Sequence, residues 1–168
     1  STSSTYLETN SPVTLSWNNN QNITFKIIFE IDEDNLFNIT QIIENKSKLN
    51  IEVFPYRLIK RINYPDTINF FILHEGLISL LNNELLEKKY SKLEDNCSSS
   101  NKTKSIFCDQ KATGGWLGFT DKYWMTTLIP NQDEPINANF RHGNNGRDDF
   151  RVGYVGKIFN ISPNSESY

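Results

Sequence analysis

The sequence predicts an all-β chain, an antiparallel β-sandwich with little helix. Three observations carry this. Ile23, Phe25, Ile27, Phe29 and Ile31 alternate with Thr24, Lys26, Ile28 and Glu30, the period-2 pattern of a strand with one face in a core. Alanine occurs only at Ala112 and Ala138, while Ile, Phe, Tyr and Thr abound, a balance that favours strands over helices. Short polar turns recur between the apolar stretches, as in a β-meander.

Taken in order, residues 1 to 12 are polar and read as a frayed end, as do the last residues from about 160 to 168. The strand Ile23 to Ile31 is followed by the turn Asp32-Glu33-Asp34-Asn35, a second strand from Leu36 to Glu44 and a second turn from Asn45 to Lys48. Leu49 to Arg61 reads as a longer strand interrupted by Pro55, which lacks the amide hydrogen a central strand needs. Residues 70 to 90 divide into short strands around an Asn82-Asn83 turn, with one helical turn at Tyr90 to Glu94 and a loop from 95 to 111. In GGWLGFTDKYWMTTLIP, residues 114 to 130, Trp116 to Phe119 is a strand, Thr120-Asp121 the turn and Tyr123 to Ile129 the return, ended by Pro130. This hairpin is expected to bring Trp116 and Trp124 together. Asn137 to Arg141 is a strand, HGNNGRDD (142 to 149) a loop, and Phe150 to Ile158 the last strand, giving nine or ten in all. The whole of 1–168 reads as a single domain.

The totals exclude several functions. A chain of 168 residues buries roughly 70% of its unfolded surface, so a real core forms. Net charge is -3 with Lys and Arg scattered, so no basic stripe exists to neutralise a nucleic-acid backbone. No apolar run approaches the roughly 18 residues that span a bilayer. Cys97 and Cys108 lie in a polar loop with no His or third Cys nearby, which argues against zinc. They are either a disulfide or two free thiols; an oxidising compartment favours the bridge, which would contribute on the order of 3 kcal/mol.

Candidate chemistry is thin. His74-Glu75 is an acid/base pair by composition, but neighbours in a strand point to opposite faces. His142 with Arg147, Asp148 and Asp149 can hold an anion or a metal, although a solvated loop is the plainer reading. Trp116, Tyr123 and Trp124 either pack in a core or stack on a partner or ligand. No Ser/His/Asp constellation, phosphate loop or metal cluster is evident. The expectation is therefore no catalytic residue, no metal and no cofactor.

The hairpin sequence GGWLGFTDKYWMTTLIP resembles a signature of the periplasmic domain of the bacterial membrane-protein insertase family YidC, also called OxaA. SPVTLSW (11–17), IIEN (42–45), PYRLIKR (55–61), FFILHEG (70–76) and VGYVGKIF (152–159) agree in the same order, so the resemblance covers roughly residues 6 to 159. It departs at the Cys-bearing insert around 96 to 108 and at 142 to 149. The resemblance implies a β-supersandwich akin to galactose mutarotase, here a partial domain, on the periplasmic face of the bacterial inner membrane. It implies a non-catalytic module of a multi-pass insertase and chaperone, docking to Sec translocon components such as SecF and meeting nascent inner-membrane proteins. An oxidising periplasm suits the Cys97–Cys108 bridge. The mutarotase-like fold also raises a rival, a carbohydrate-binding or aldose-epimerase-like sandwich, which would need His74 in a concave pocket facing a carboxylate.

Overall fold

The computed structural model describes residues 1–65, 74–98 and 105–167. The apolar residues 70 to 73 and the middle of the Cys-bearing insert, 99 to 104, lie outside the described residues. The chain is all-β, its named strands paired antiparallel into several sheets, and it divides into two compact units: residues 1–53 with 158–168, and residues 54–157.

The first unit is built on one four-stranded sheet. Strand β1 (Val13–Asn18), β2 (Ile23–Ile31) and β3 (Phe37–Asn45) form a meander, and β14 (Ser165–Ser167) adds to the far edge of β3. A second pair joins β4 (Ile51–Val53) to β13 (Phe159–Ile161). The predicted strand at 23–31 and both turns after it are present. The polar ends are also tied in: Ser3 donates its amide to the Thr14 carbonyl, and Ser16 to that of Ser1. Register sorts the sheet into two faces. Val13, Leu15 and Trp17 stand opposite Phe29, Ile27 and Phe25, which stand opposite Ile39, Gln41 and Ile43. The other face carries the Lys26–Glu44 ion pair and the Asn38 side-chain amide donating to Glu30 at 3.0 Å. Asn45 is fully buried and satisfied. Its amide donates to the carbonyls of Leu49, Ile161 and Ser162 at 2.8, 3.0 and 3.1 Å, and its oxygen accepts from Ser47.

The second unit is a sandwich of two four-stranded sheets. One has the order β10 (Trp124–Leu128), β9 (Trp116–Asp121), β6 (Gly76–Leu81), β7 (Glu84–Lys89). The other runs β5 (Tyr56–Ile62), β12 (Asp148–Val155), β11 (Pro135–Asn144), β8 (Asp109–Thr113). Helix α1 (Tyr90–Cys97) and a 3-10 turn at Ile106–Cys108 complete it. Leu77, Leu81, Leu117 and Phe119 from the first sheet meet Ile136, Phe140, Phe150 and Val152 from the second, with Tyr90 and Leu93 of α1, in one buried cluster. The Tyr90 ring lies 4.7 Å from Phe150 and 5.5 Å from Phe119, which joins the layers.

Several expectations change here. The helix is two turns long, reaching Cys97, because Tyr90, Leu93 and Cys97 recur at helical spacing and all bury. Asp109–Thr113 is a strand rather than loop; its polar sequence hides that it pairs with β11. The hairpin of 114–130 turns at Lys122-Tyr123, two residues later than the Thr120-Asp121 turn the sequence suggests. Lys122 takes the positive φ of 46° that this two-residue loop requires. The Asn82-Asn83 turn is as read: both residues are left-handed, at φ 54° and 64°. Residues 142 to 149 are not a loop. β11 continues to Asn144 and β12 starts at Asp148, so only Asn145 to Arg147 turn.

Candidate functional site

The hairpin of β9 and β10 presents the aromatic residues singled out in the sequence, and its construction starts at the glycines. A Cβ on Gly118 would stand 2.0 Å from the Thr126 carbonyl oxygen, so only glycine lets β10 pair this closely. At the far end of β9, Asp121 fixes the tip. Its Oδ1 accepts from the Tyr90 hydroxyl at 2.5 Å, and its Oδ2 sits 2.8 Å from Nε of Arg61. Burial, and then the hydrogen bond to Asp121, hold the Tyr90 hydroxyl well above the usual tyrosine range, so it remains a proton donor to that carboxylate. The tip therefore rises from an ion pair and a buried tyrosine, not from a free loop.

Beyond that base the side chains face water. Tyr123 is 79% exposed and Trp124 80%, with Met125 beside them also exposed. The Lys122 ammonium lies 4.8 Å from the Tyr123 ring centre, a cation–π contact that orients the ring without covering it. Trp116 is separate. It pairs with Leu80 of β6, while Trp124 pairs with Asp121, so the expected approach of Trp116 and Trp124 does not occur. Trp116 and Asp121 are five residue steps apart along β9, about 17 Å. The structure thus brings Tyr123 and Trp124 together at the tip and leaves Trp116 half-buried at the opposite end.

The remaining candidates resolve as follows. His74 donates from Nε2 to the Leu77 carbonyl at 2.8 Å, which commits that nitrogen to the backbone. An open groove of about 450 Å³ is lined by Asn82, Lys111, Ala112, Ile136, Asn137 and Lys157 among others, and none of the predicted site residues borders it. Cys97 and Cys108 form a disulfide, both fully buried, which ties the end of α1 to the start of β8. His142 is buried on β11 opposite Phe150, with Nε2 2.9 Å from Asp148 Oδ1. The sequence did carry a signal for it: Ile136, Ala138, Phe140 and His142 alternate inward along β11. No helix among the described residues is long and apolar enough to cross a membrane.

Comparison with known proteins gives one consistent result. The family model of the YidC periplasmic domain matches residues 1–167. The membrane protein insertase YidC of Granulibacter bethesdensis is 37% identical over 150 residues, covering 89% of this chain and 25% of that protein. The YidC of Jannaschia sp. is 41% identical over 133 residues, covering 79% and 21%. That of Sinorhizobium fredii is 35% identical over 152 residues, covering 90% and 24%. The chain thus spans about a quarter of the length of these curated relatives.

Proposed function

Because the chain belongs to the YidC periplasmic domain family, we propose that it is a non-catalytic docking and scaffold module of a bacterial inner-membrane insertase, exposed on the periplasmic side. Its relatives are named membrane protein insertases. On this reading the insertion of inner-membrane proteins belongs to the rest of the longer protein, and this module contacts translocon subunits such as SecF and emerging substrate.

The observation that carries the reading is the tip of the β9–β10 hairpin. Tyr123, Trp124 and Met125 are each more than half exposed on a base held by Asp121, Arg61 and Tyr90. Large aromatics with few rotatable bonds, presented on rigid backbone, lose little entropy on contact and are the side chains that dominate interface energies. The chemistry for the enzymatic rival is weaker: the Nε2 of His74 is spent on the Leu77 backbone carbonyl.

The test is a photo-crosslinking residue placed at Tyr123 of the full-length protein in its native membrane, with the same probe at Asn145 in the other exposed turn. The proposal expects an adduct with a translocon subunit, identified by mass, from position 123 and not from 145. Equal adducts from both positions, or none from 123, would refute it. If instead a sugar protected Tyr123 and Trp124 from chemical labelling, the carbohydrate-binding reading would replace it.

A further inference from the structure

Three elements of the second unit converge at one end of the sandwich. His142 lies on β11, Asp148 opens β12, and Glu94 stands on α1. One donor atom from each falls within 4.8 Å of the others. We propose that Glu94, His142 and Asp148 form a site for a divalent transition metal of the zinc class, bound through the imidazole Nε2 and the two carboxylates, with water completing the shell.

Four observations support it. The first is donor chemistry: one imidazole with two carboxylates is a set that zinc and similar divalent ions accept. The second is spacing. His142 Nε2 and Asp148 Oδ1 are 2.9 Å apart, a hydrogen-bond contact, and need to part by only about 0.5 Å to reach the roughly 3.4 Å between tetrahedral ligands with bonds of about 2.0–2.2 Å. Glu94 is an exposed helical side chain and closes the widest gap by rotamer movement.

The third observation is a surrounding shell that holds the donors. Asn144 donates its side-chain amide to Asp148 at 2.8 Å, and the Tyr64 hydroxyl donates to Glu94. Such outer partners fix the orientation of metal-ligating carboxylates.

The fourth observation is the imidazole itself: a side chain only 4% exposed, it turns Nε2 toward the carboxylates. A metal here would clip α1 to the β11–β12 hairpin, a second tie beside the disulfide. The sequence places His142 and Asp148 together in a stretch that can hold an anion or a metal, but gives no sign of Glu94, which lies 48 positions upstream of His142.

The test is calorimetric titration of the metal-free protein with Zn²⁺, with Mg²⁺ as the hard-ion control. Variants are Glu94→Gln and Asp148→Asn, both partly exposed positions that leave the core intact, together with His142→Gln and His74→Asn. The expected result is one equivalent of Zn²⁺ bound in preference to Mg²⁺, at least about tenfold weaker in each carboxylate variant, lost in His142→Gln and unchanged in His74→Asn. Absence of saturable Zn²⁺ binding to the parent protein would overturn the proposal. So would an affinity unaltered by Glu94→Gln or by Asp148→Asn, or one lost with His74→Asn.

Discussion

The two units use the same sequence code and reach different degrees of burial. In the 54–157 unit, alternating residues such as Ile136, Ala138 and Phe140 on β11 disappear between two sheets, all at 3% exposure or less. In the unit of residues 1–53 and 158–168, alternation is as regular, yet Leu15 is 44% exposed, Trp17 63% and Phe37 55%. Ile23 and Ile161 are the apolar side chains buried there among the described residues. The reason is layers. A strand's period of two states which face is apolar, but not whether a second layer covers it. The first unit buries a polar side chain instead: Asn45 is fully buried and hydrogen-bonded to the carbonyls of Leu49, Ile161 and Ser162.

The comparison can be broken by mutation. Phe140→Ala in the second unit removes a fully buried ring and is expected to cost about 3–5 kcal/mol. Trp17→Ala in the first unit loses mainly its stacking on Phe25, at 5.3 Å, and is expected to cost about 1 kcal/mol. Urea unfolding followed by fluorescence and circular dichroism measures both; equal losses would erase the distinction between the units. Next in size is the disulfide. Replacing Cys97 and Cys108 by Ala together opens a loop of sequence separation 11 and should lower stability by about 3 kcal/mol. Hydrogen exchange should show that loss in α1 and β8 and leave β1 to β3 unaltered.

A smaller effect sharpens the first unit. Asn45→Ala strips the donor from three carbonyls and should cost about 2 kcal/mol. Local exchange in β3 and β13 would report it. The pH dependence concerns the second unit. Burial raises the Asp149 carboxyl, but Arg151 and Lys60 outweigh burial and hold it below the ordinary carboxylate range. Its folded value is depressed, so the stability it contributes is present above the unfolded value of about 3.9 and is lost as pH falls through the lower folded value. Asp149→Asn should flatten this part of the acid limb of a stability-against-pH curve and leave the region above pH about 5 parallel to the parent.

Much of the fold was legible because its apolar alternation is strong. Ile23–Ile31 and the Asn82-Asn83 turn follow from side-chain period and from asparagine's tolerance of positive φ. What was hidden is polar sequence that becomes strand through its neighbours. Asp109–Thr113 has one buried residue, Ala112, and is a strand because β11 supplies hydrogen bonds. HGNNGRDD reads as loop, yet five of its eight residues extend β11 and β12: His142 pairs with Phe150 and Asp149 with Ile62. The tip residues Tyr123 and Trp124 were legible as candidates, but not their exposure. That depends on where the turn falls, and it falls two residues beyond Thr120-Asp121, which places Tyr123 in the loop rather than in the returning strand. Of the Glu94–His142–Asp148 cluster, His142 and Asp148 were legible as neighbours that can hold an anion or a metal, but Glu94 was not, because only the fold brings α1 to them.

The most direct test of the docking account separates folding from contact at Trp124. In the full-length protein, Trp124→Ser should leave the unfolding midpoint of this domain within about 0.5 kcal/mol of the parent, because an exposed side chain contributes little to folding. The same substitution should abolish the translocon adduct formed by the probe at Tyr123. Retention of that adduct at parental yield would contradict the account.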